Sequence, residues 1–147
     1  PARVGVYGWS YGGYMTLMLL GQSPGTFKAG VAGAPVTDYR LYDTHYTERY
    51  MGLPSANADG YQNCNALSYA SQLRRPLLLI HGTTDDNVYF THTMKMAESL
   101  FRAGKPCDVL ILPGFTHMVP EPEVNIRLNE RIVNHFRRHL VDHKPDA

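Results

Sequence analysis

Hydrophobic positions along the chain fall into short continuous runs separated by longer segments with helical spacing. Val4-Gly5-Val6-Tyr7 is a short β-rich run followed by glycine, which predicts a buried strand. From Gly13 to Leu20 the residues Met15, Leu17, Met18, Leu19 and Leu20 predict a helix that stops at Gly21. Phe27 to Ala34 reads as a second strand closed by Pro35. Residues 37–73 are rich in Tyr, Asp and Asn and lack long periodicity, so short helices and loops are expected there. Pro76-Leu77-Leu78-Leu79-Ile80 is continuously apolar and ends at His81-Gly82, the pattern of a strand buried on both faces. Thr91 to Arg102 predicts a helix capped by Thr91 or Thr93 and stopped by Gly104. Asp108 to Leu112 predicts a fourth strand. Val124, Leu128, Ile132, Phe136 and Leu140 recur every four residues, which predicts a long amphipathic helix with one buried stripe.

Strands alternate with helices and carry no polar alternation of their own. Together these features predict an α/β fold with a parallel sheet covered on both faces. Four strands, one long excursion and a terminal helix amount to half of such a sheet.

Composition changes this picture little. The 147 residues suit one domain and are 44% hydrophobic, 18% charged and 11% aromatic. A net charge of +1 gives no electrostatic case for nucleic acid or an acidic membrane surface. No apolar run approaches the roughly 18 residues of a membrane span. Cys64 and Cys107 form neither a disulfide framework nor a metal-ligand spacing and read as two free, buried thiols. The opening residues run almost directly into a strand, so the chain reads as a piece of a longer protein.

The candidate chemistry begins at Gly8-Trp9-Ser10-Tyr11-Gly12, a G-x-S-x-G pattern between a strand and a helix. That setting presents a serine hydroxyl on a tight turn and leaves the next N–H, here that of Tyr11, for an oxyanion. Average composition predicts only about 0.05 chance matches in this length. The pattern recurs at Gly21-Gln22-Ser23-Pro24-Gly25, but there it follows a helix, and Pro24 has no N–H to offer an oxyanion. Ser23 is therefore read as a turn residue.

A nucleophilic serine needs a base and a carboxylate to orient it. In this kind of fold they follow in the order Ser, Asp or Glu, His, on loops after later strands. Asp85 and Asp86 follow the third strand and His117 follows the fourth. Order alone leaves the two aspartates undecided. Among the other histidines, His135, His139 and His143 read as solvated or capping residues of the terminal helix. His92 sits in a helix first turn, His45 could line the site, and His81 reads as packed.

With these residues in place, the chain resembles the dipeptidyl peptidase IV branch, of bacterial type, of the prolyl oligopeptidase family. The resemblance rests on Gly8 to Tyr14, Ala34-Pro35-Val36, Tyr42-Asp43, the run Tyr46 to Pro54, His81-Gly82-Thr83, Asp85 to Val88, and Phe90. It implies an α/β-hydrolase fold and release of N-terminal dipeptides with proline or alanine second, through an acyl-enzyme and without a cofactor or metal. It further implies Asp85 as the triad carboxylate, a proline pocket walled by Val36, Tyr42, Tyr46 and Val88, and a substrate-carbonyl contact from Asn87. Tyr39 stands in the pocket wall where the family has tryptophan, and Phe115-Thr116-His117-Met118 departs from the family's residues around the base. By the same resemblance residues 1–147 are the C-terminal portion of the catalytic domain. The upstream propeller, with the glutamates that bind the amino terminus, and the early strands, with a second oxyanion donor, would lie elsewhere. A homodimer and a periplasmic or secreted location are also implied. Alternatives are a tripeptidyl peptidase, an esterase with the same triad and a non-catalytic relative; retention of Ser10, Asp85 and His117 argues against the last.

Overall fold

The computed structural model describes residues 3–142. Four strands, β1 (Gly5–Trp9), β2 (Ala29–Gly33), β3 (Leu77–Gly82) and β4 (Asp108–Leu112), form one sheet in the order β1-β2-β3-β4. Every pairing is parallel, with Gly5 opposite Ala29, Gly30 opposite Leu77 and Leu78 opposite Asp108. Five helices accompany it: α1 (Tyr11–Gln22), α2 (Thr44–Met51), α3 (Ala58–Asn63), α4 (Thr91–Arg102) and α5 (Pro122–Leu140). Two short 3-10 segments, Tyr39–Leu41 and Ala66–Gln72, complete the excursion between β2 and β3.

The central strands are buried along their whole length, and their side chains divide between two apolar layers by the two-residue period of a strand. Ala32, Leu77 and Leu79 pack with Leu17 and Leu20 of α1 and with Met96 and Leu100 of α4. Val31, Leu78 and Ile80 pack with Leu128 and Ile132 of α5. Both faces are thus covered, as the continuous apolar runs predict. Burying a side chain such as Leu17 or Ile132 contributes about 1.5–3 kcal/mol. The α5 stripe is the predicted one, with Leu128 and Ile132 buried and Val124 and Phe136 partly so.

The fourth strand departs from expectation. Val109 and Ile111 of β4 are exposed, because β4 is the sheet edge and no described element covers that face.

Two helix ends also differ. Gly21 lies inside α1 rather than ending it, and a Cβ there would press on Tyr69. Ser23 instead caps the helix, its N–H bonded to the Leu19 carbonyl, which agrees with its reading as a turn residue. The cap residue of α4 is Phe90, whose side chain has no acceptor to offer, and the Thr93 hydroxyl is committed to His81. Gly104 does stop α4: it has φ 66°, and the Lys105 N–H reaches back to the Leu100 carbonyl, a Schellman closure.

Both cysteines are free and half-buried, and burial raises the pKa of each thiol. His135 is buried, not solvated, and His143 lies outside the described residues. No helix among the described residues is long and apolar enough to cross a membrane.

Candidate active site

Ser10 stands between β1 and α1 with φ 60° and ψ −118°, a conformation that non-glycine residues adopt only when the surroundings impose it. The surroundings here are close-packed backbone. The Ser10 N–H donates to the Gly33 carbonyl at 2.8 Å. A Cβ at Gly8 would overlap the backbone of Gly12, and one at Gly13 would fall 2.5 Å from the Gly33 carbonyl oxygen. Gly12, by contrast, faces open space. Ala34, just beyond β2, has a second strained backbone, with φ 39°.

The other two members of the relay, Asp85 and His117, come from loops beyond the C-terminal ends of β3 and β4, where open parallel sheets gather their ligands. His117 Nε2 is 2.9 Å from Ser10 Oγ, and His117 Nδ1 is 2.8 Å from Asp85 Oδ2. The other Asp85 oxygen accepts the backbone N–H groups of Asn87 and Val88 at 3.0 and 2.9 Å. Asp85 is buried and Asp86 exposed, so geometry separates the two neighbours that chain order left undecided.

The two loops are laced together. Gly114 N–H donates to Thr83 Oγ1 at 2.9 Å, and Thr84 N–H to the Phe115 carbonyl at 3.1 Å. Trp9 Nε1 donates to the His117 carbonyl at 2.8 Å, so the residue preceding the serine also anchors the histidine backbone.

His81 lies beneath the carboxylate, fully buried. Its Nε2 is 2.7 Å from the Val88 carbonyl and 3.3 Å from Asp85 Oδ2, while Nδ1 is 2.7 Å from Thr93 Oγ1. Burial lowers its pKa, which favours a neutral ring with its proton on Nε2, shared by the two oxygens. His81 is thus packed, as expected, yet it also touches the aspartate. His45 is exposed on α2.

The arrangement can move a proton from a hydroxyl to an imidazole whose other nitrogen is held by a buried carboxylate. Tyr11 is the first residue of α1, so its N–H has no acceptor within the helix.

Beside this relay the tyrosines make a continuous cluster. Tyr39 stacks on Tyr46 with centroids 6.5 Å apart, and Tyr42 meets Tyr46 edge-on at 5.4 Å. Tyr14 joins Tyr39 to Tyr11, and Tyr50 extends the cluster from Tyr46. Tyr42 Oη donates to Asn87 Oδ1 at 2.6 Å, tying the tyrosine cluster to the aspartate loop. Val36, Tyr39 and Val88 belong to one buried apolar cluster that includes Tyr14. Burial raises the pKa of Tyr39 and Tyr42 and pushes that of Tyr14 up to about 12, so these phenols stay protonated donors.

Tyr11, Tyr14, Tyr39, Tyr46 and Tyr50 line an open cavity of about 520 Å³. A larger cavity, about 660 Å³, lies at the opposite ends of β3 and β4. It is far from the relay in the sheet and carries none of its residues.

Sequence reading did not find Trp9, Thr83 or Thr93 as supports. Their bonds run to partners 12 to 108 residues away, and nothing in local spacing signals them. Thr83 was visible only within the His81-Gly82-Thr83 motif.

Known proteins share the sequence and fold of this chain. The chain is 44% identical over 142 residues to dipeptidyl peptidase 8 of Homo sapiens, covering 94% of this chain and 16% of that protein. It is 49% identical over 105 residues to dipeptidyl peptidase 4 of Bos taurus, covering 69% of this chain and 14% of the relative. The crystal structure of Porphyromonas gingivalis dipeptidyl peptidase 4 superposes with a TM-score of 0.91 at 45% identity, over 95% of this chain and 20% of that one. The chain therefore spans less than a fifth of the length of the curated relatives described here. The model of the prolyl oligopeptidase family matches residues 1–143, and the chain, with its α/β-hydrolase sheet, belongs to that family.

Proposed function

We propose that this chain carries the catalytic triad of a serine peptidase that releases N-terminal X-Pro or X-Ala dipeptides through an acyl-enzyme. The observation that carries the reading is the relay from Ser10 through His117 to Asp85, with separations of 2.9 and 2.8 Å. Ser10 attacks the scissile carbonyl while His117 takes its proton. Asp85 holds the imidazole in the tautomer that accepts at Nε2 and stabilises the cation that forms. The Tyr11 N–H is one donor to the developing oxyanion.

Val36, Tyr39, Tyr42, Tyr46 and Val88 wall the pocket for the second substrate residue. A flat pyrrolidine suits aromatic faces, and the tertiary X-Pro amide brings no N–H that the wall would have to satisfy. Tyr39, in place of the family's tryptophan, reshapes that wall. Asn87 accepts from Tyr42 through Oδ1, which leaves its amide N–H groups for the substrate's backbone carbonyl.

On this reading residues 1–147 are the C-terminal portion of the peptidase domain. The remainder of the enzyme supplies the early strands, the second oxyanion donor and a propeller with the groups that bind the amino terminus. The small share of its relatives that the chain covers supports this. A homodimer is part of the proposal, supported by exposed Phe101, Ile111, Ile126 and Val133 on α4, β4 and α5. No cofactor, metal or nucleic acid takes part in the reaction.

Release of tripeptides is the neighbouring reading. Hydrolysis of Gly-Pro and Ala-Ala-Pro anilides by the full-length protein separates the two. The proposal expects the dipeptide substrate to be preferred, and turnover of the tripeptide substrate alone would overturn it.

A further inference from the structure

A second cluster of chemistry-bearing side chains sits at the opposite end of the sheet from Ser10. Asp108 is the first residue of β4, and His135 and His139 lie one turn apart on α5. One ligand atom from each of the three lies within 4.8 Å of the others. We propose that Asp108, His135 and His139 form a binding site for a divalent transition-metal ion, Zn²⁺ by preference, that fastens the end of α5 to the edge strand.

Several observations converge on this site. The His135 side chain is 4% exposed, and its Nδ1 is 4.0 Å from Asp108 Oδ2. That separation is too long for a hydrogen bond and about 0.6 Å longer than the spacing of two ligands on one tetrahedral ion. Its Nε2 is buried with no close hydrogen-bond partner, and the Pro76 carbonyl acts on the ring; with the ion on Nδ1, which faces Asp108, Nε2 keeps the ring proton. The His135 and His139 rings are 4.7 Å apart.

Two imidazoles and a carboxylate are a donor set that zinc accepts, with water completing a tetrahedron. Bonds of about 2.1 Å place tetrahedral ligands about 3.4 Å apart, so the donors must draw in by up to about 1.5 Å. Asp108, with a 62% exposed side chain, and the half-buried His139 are the ones that can turn to do so. Asp108 and His135 line an open cavity of about 200 Å³, and Asp108 and His139 line the larger one beside it, so Asp108 borders both spaces. Arg131 and Arg138 also line the smaller one and oppose a cation, but both are exposed and can extend into solvent. The His-x3-His spacing of His135 and His139 puts both rings on one helical face.

The site is tested on the full-length protein, stripped of metal by chelator and titrated calorimetrically with ZnCl₂. The expected result is one equivalent per chain accompanied by a higher melting temperature. His139→Ala and Asp108→Asn are each expected to weaken that binding at least tenfold and to remove the thermal shift. Fluorophosphonate labelling of Ser10 at the wild-type rate verifies that both variants fold. The inference is overturned if wild type takes up no zinc, if both variants bind as wild type does, or if His117→Ala alone abolishes binding.

Discussion

Asp85 and Asp86 are adjacent in the chain and opposite in environment. Asp85 is 4% exposed and holds His117 with one oxygen and two backbone N–H groups with the other. Asp86 points to solvent. Asp85→Asn should therefore lower kcat by about 10⁴-fold, because the wrong tautomer of His117 then faces Ser10. Asp86→Asn should leave kcat within a few-fold, and steady-state kinetics on a Gly-Pro anilide checks both. His92 supports a pH prediction. Its Nδ1 accepts the Thr37 N–H at 3.1 Å, which requires a neutral ring, and desolvation by burial lowers its pKa to about 4. The unfolded chain, with a histidine pKa near 6.5, then binds the extra proton first. Stability is accordingly retained above about pH 6.5 and lost as pH falls toward 4, by at most about 3 kcal/mol from this group. Histidine-resolved NMR should find His92 neutral at pH 5.5; a midpoint near 6.5 would contradict the assignment. Ser10 and His117 were legible from pattern and order, whereas the choice of Asp85 needed family resemblance. The supports at Trp9 and Thr93 are tertiary facts with no local signature.

The strand–turn–helix of β1 and α1 depends on backbone approaching backbone. A methyl at Gly13 meets the Gly33 carbonyl, while one at Gly12 meets nothing within 4 Å. Gly13→Ala should destabilise the protein by about 3 kcal/mol or more. Gly12→Ala should be neutral or slightly stabilising, since alanine favours helix. Denaturant unfolding of both variants is the test, and equal losses would refute the packing account. Continuous apolar runs made β2 and β3 readable, and the four-residue repeat made α5 readable. The caps were read less well. Thr93 looks like a cap in sequence, but its hydroxyl serves His81, and Gly21 looks like a stop but makes room for Tyr69. In each case a distant partner overrides the local propensity.

For the whole molecule, β1 is a sheet edge of this chain, although it bears the candidate nucleophile. An unpaired edge invites association. Residues 1–147 expressed alone should therefore aggregate and lack activity, and a soluble monomer with one sharp unfolding transition would count against the domain proposal. The alternation of strands and helices made the parallel sheet legible. The exposure of β4 was not, because strand order is set by long-range pairing. The central claim is that Ser10 is the nucleophile of a complete relay, and fluorophosphonate labelling of the full-length protein tests it most directly. The wild type should be labelled covalently at Ser10 and lose activity in proportion, and Ser10→Ala should not be labelled. Undiminished labelling of Ser10→Ala would contradict the claim.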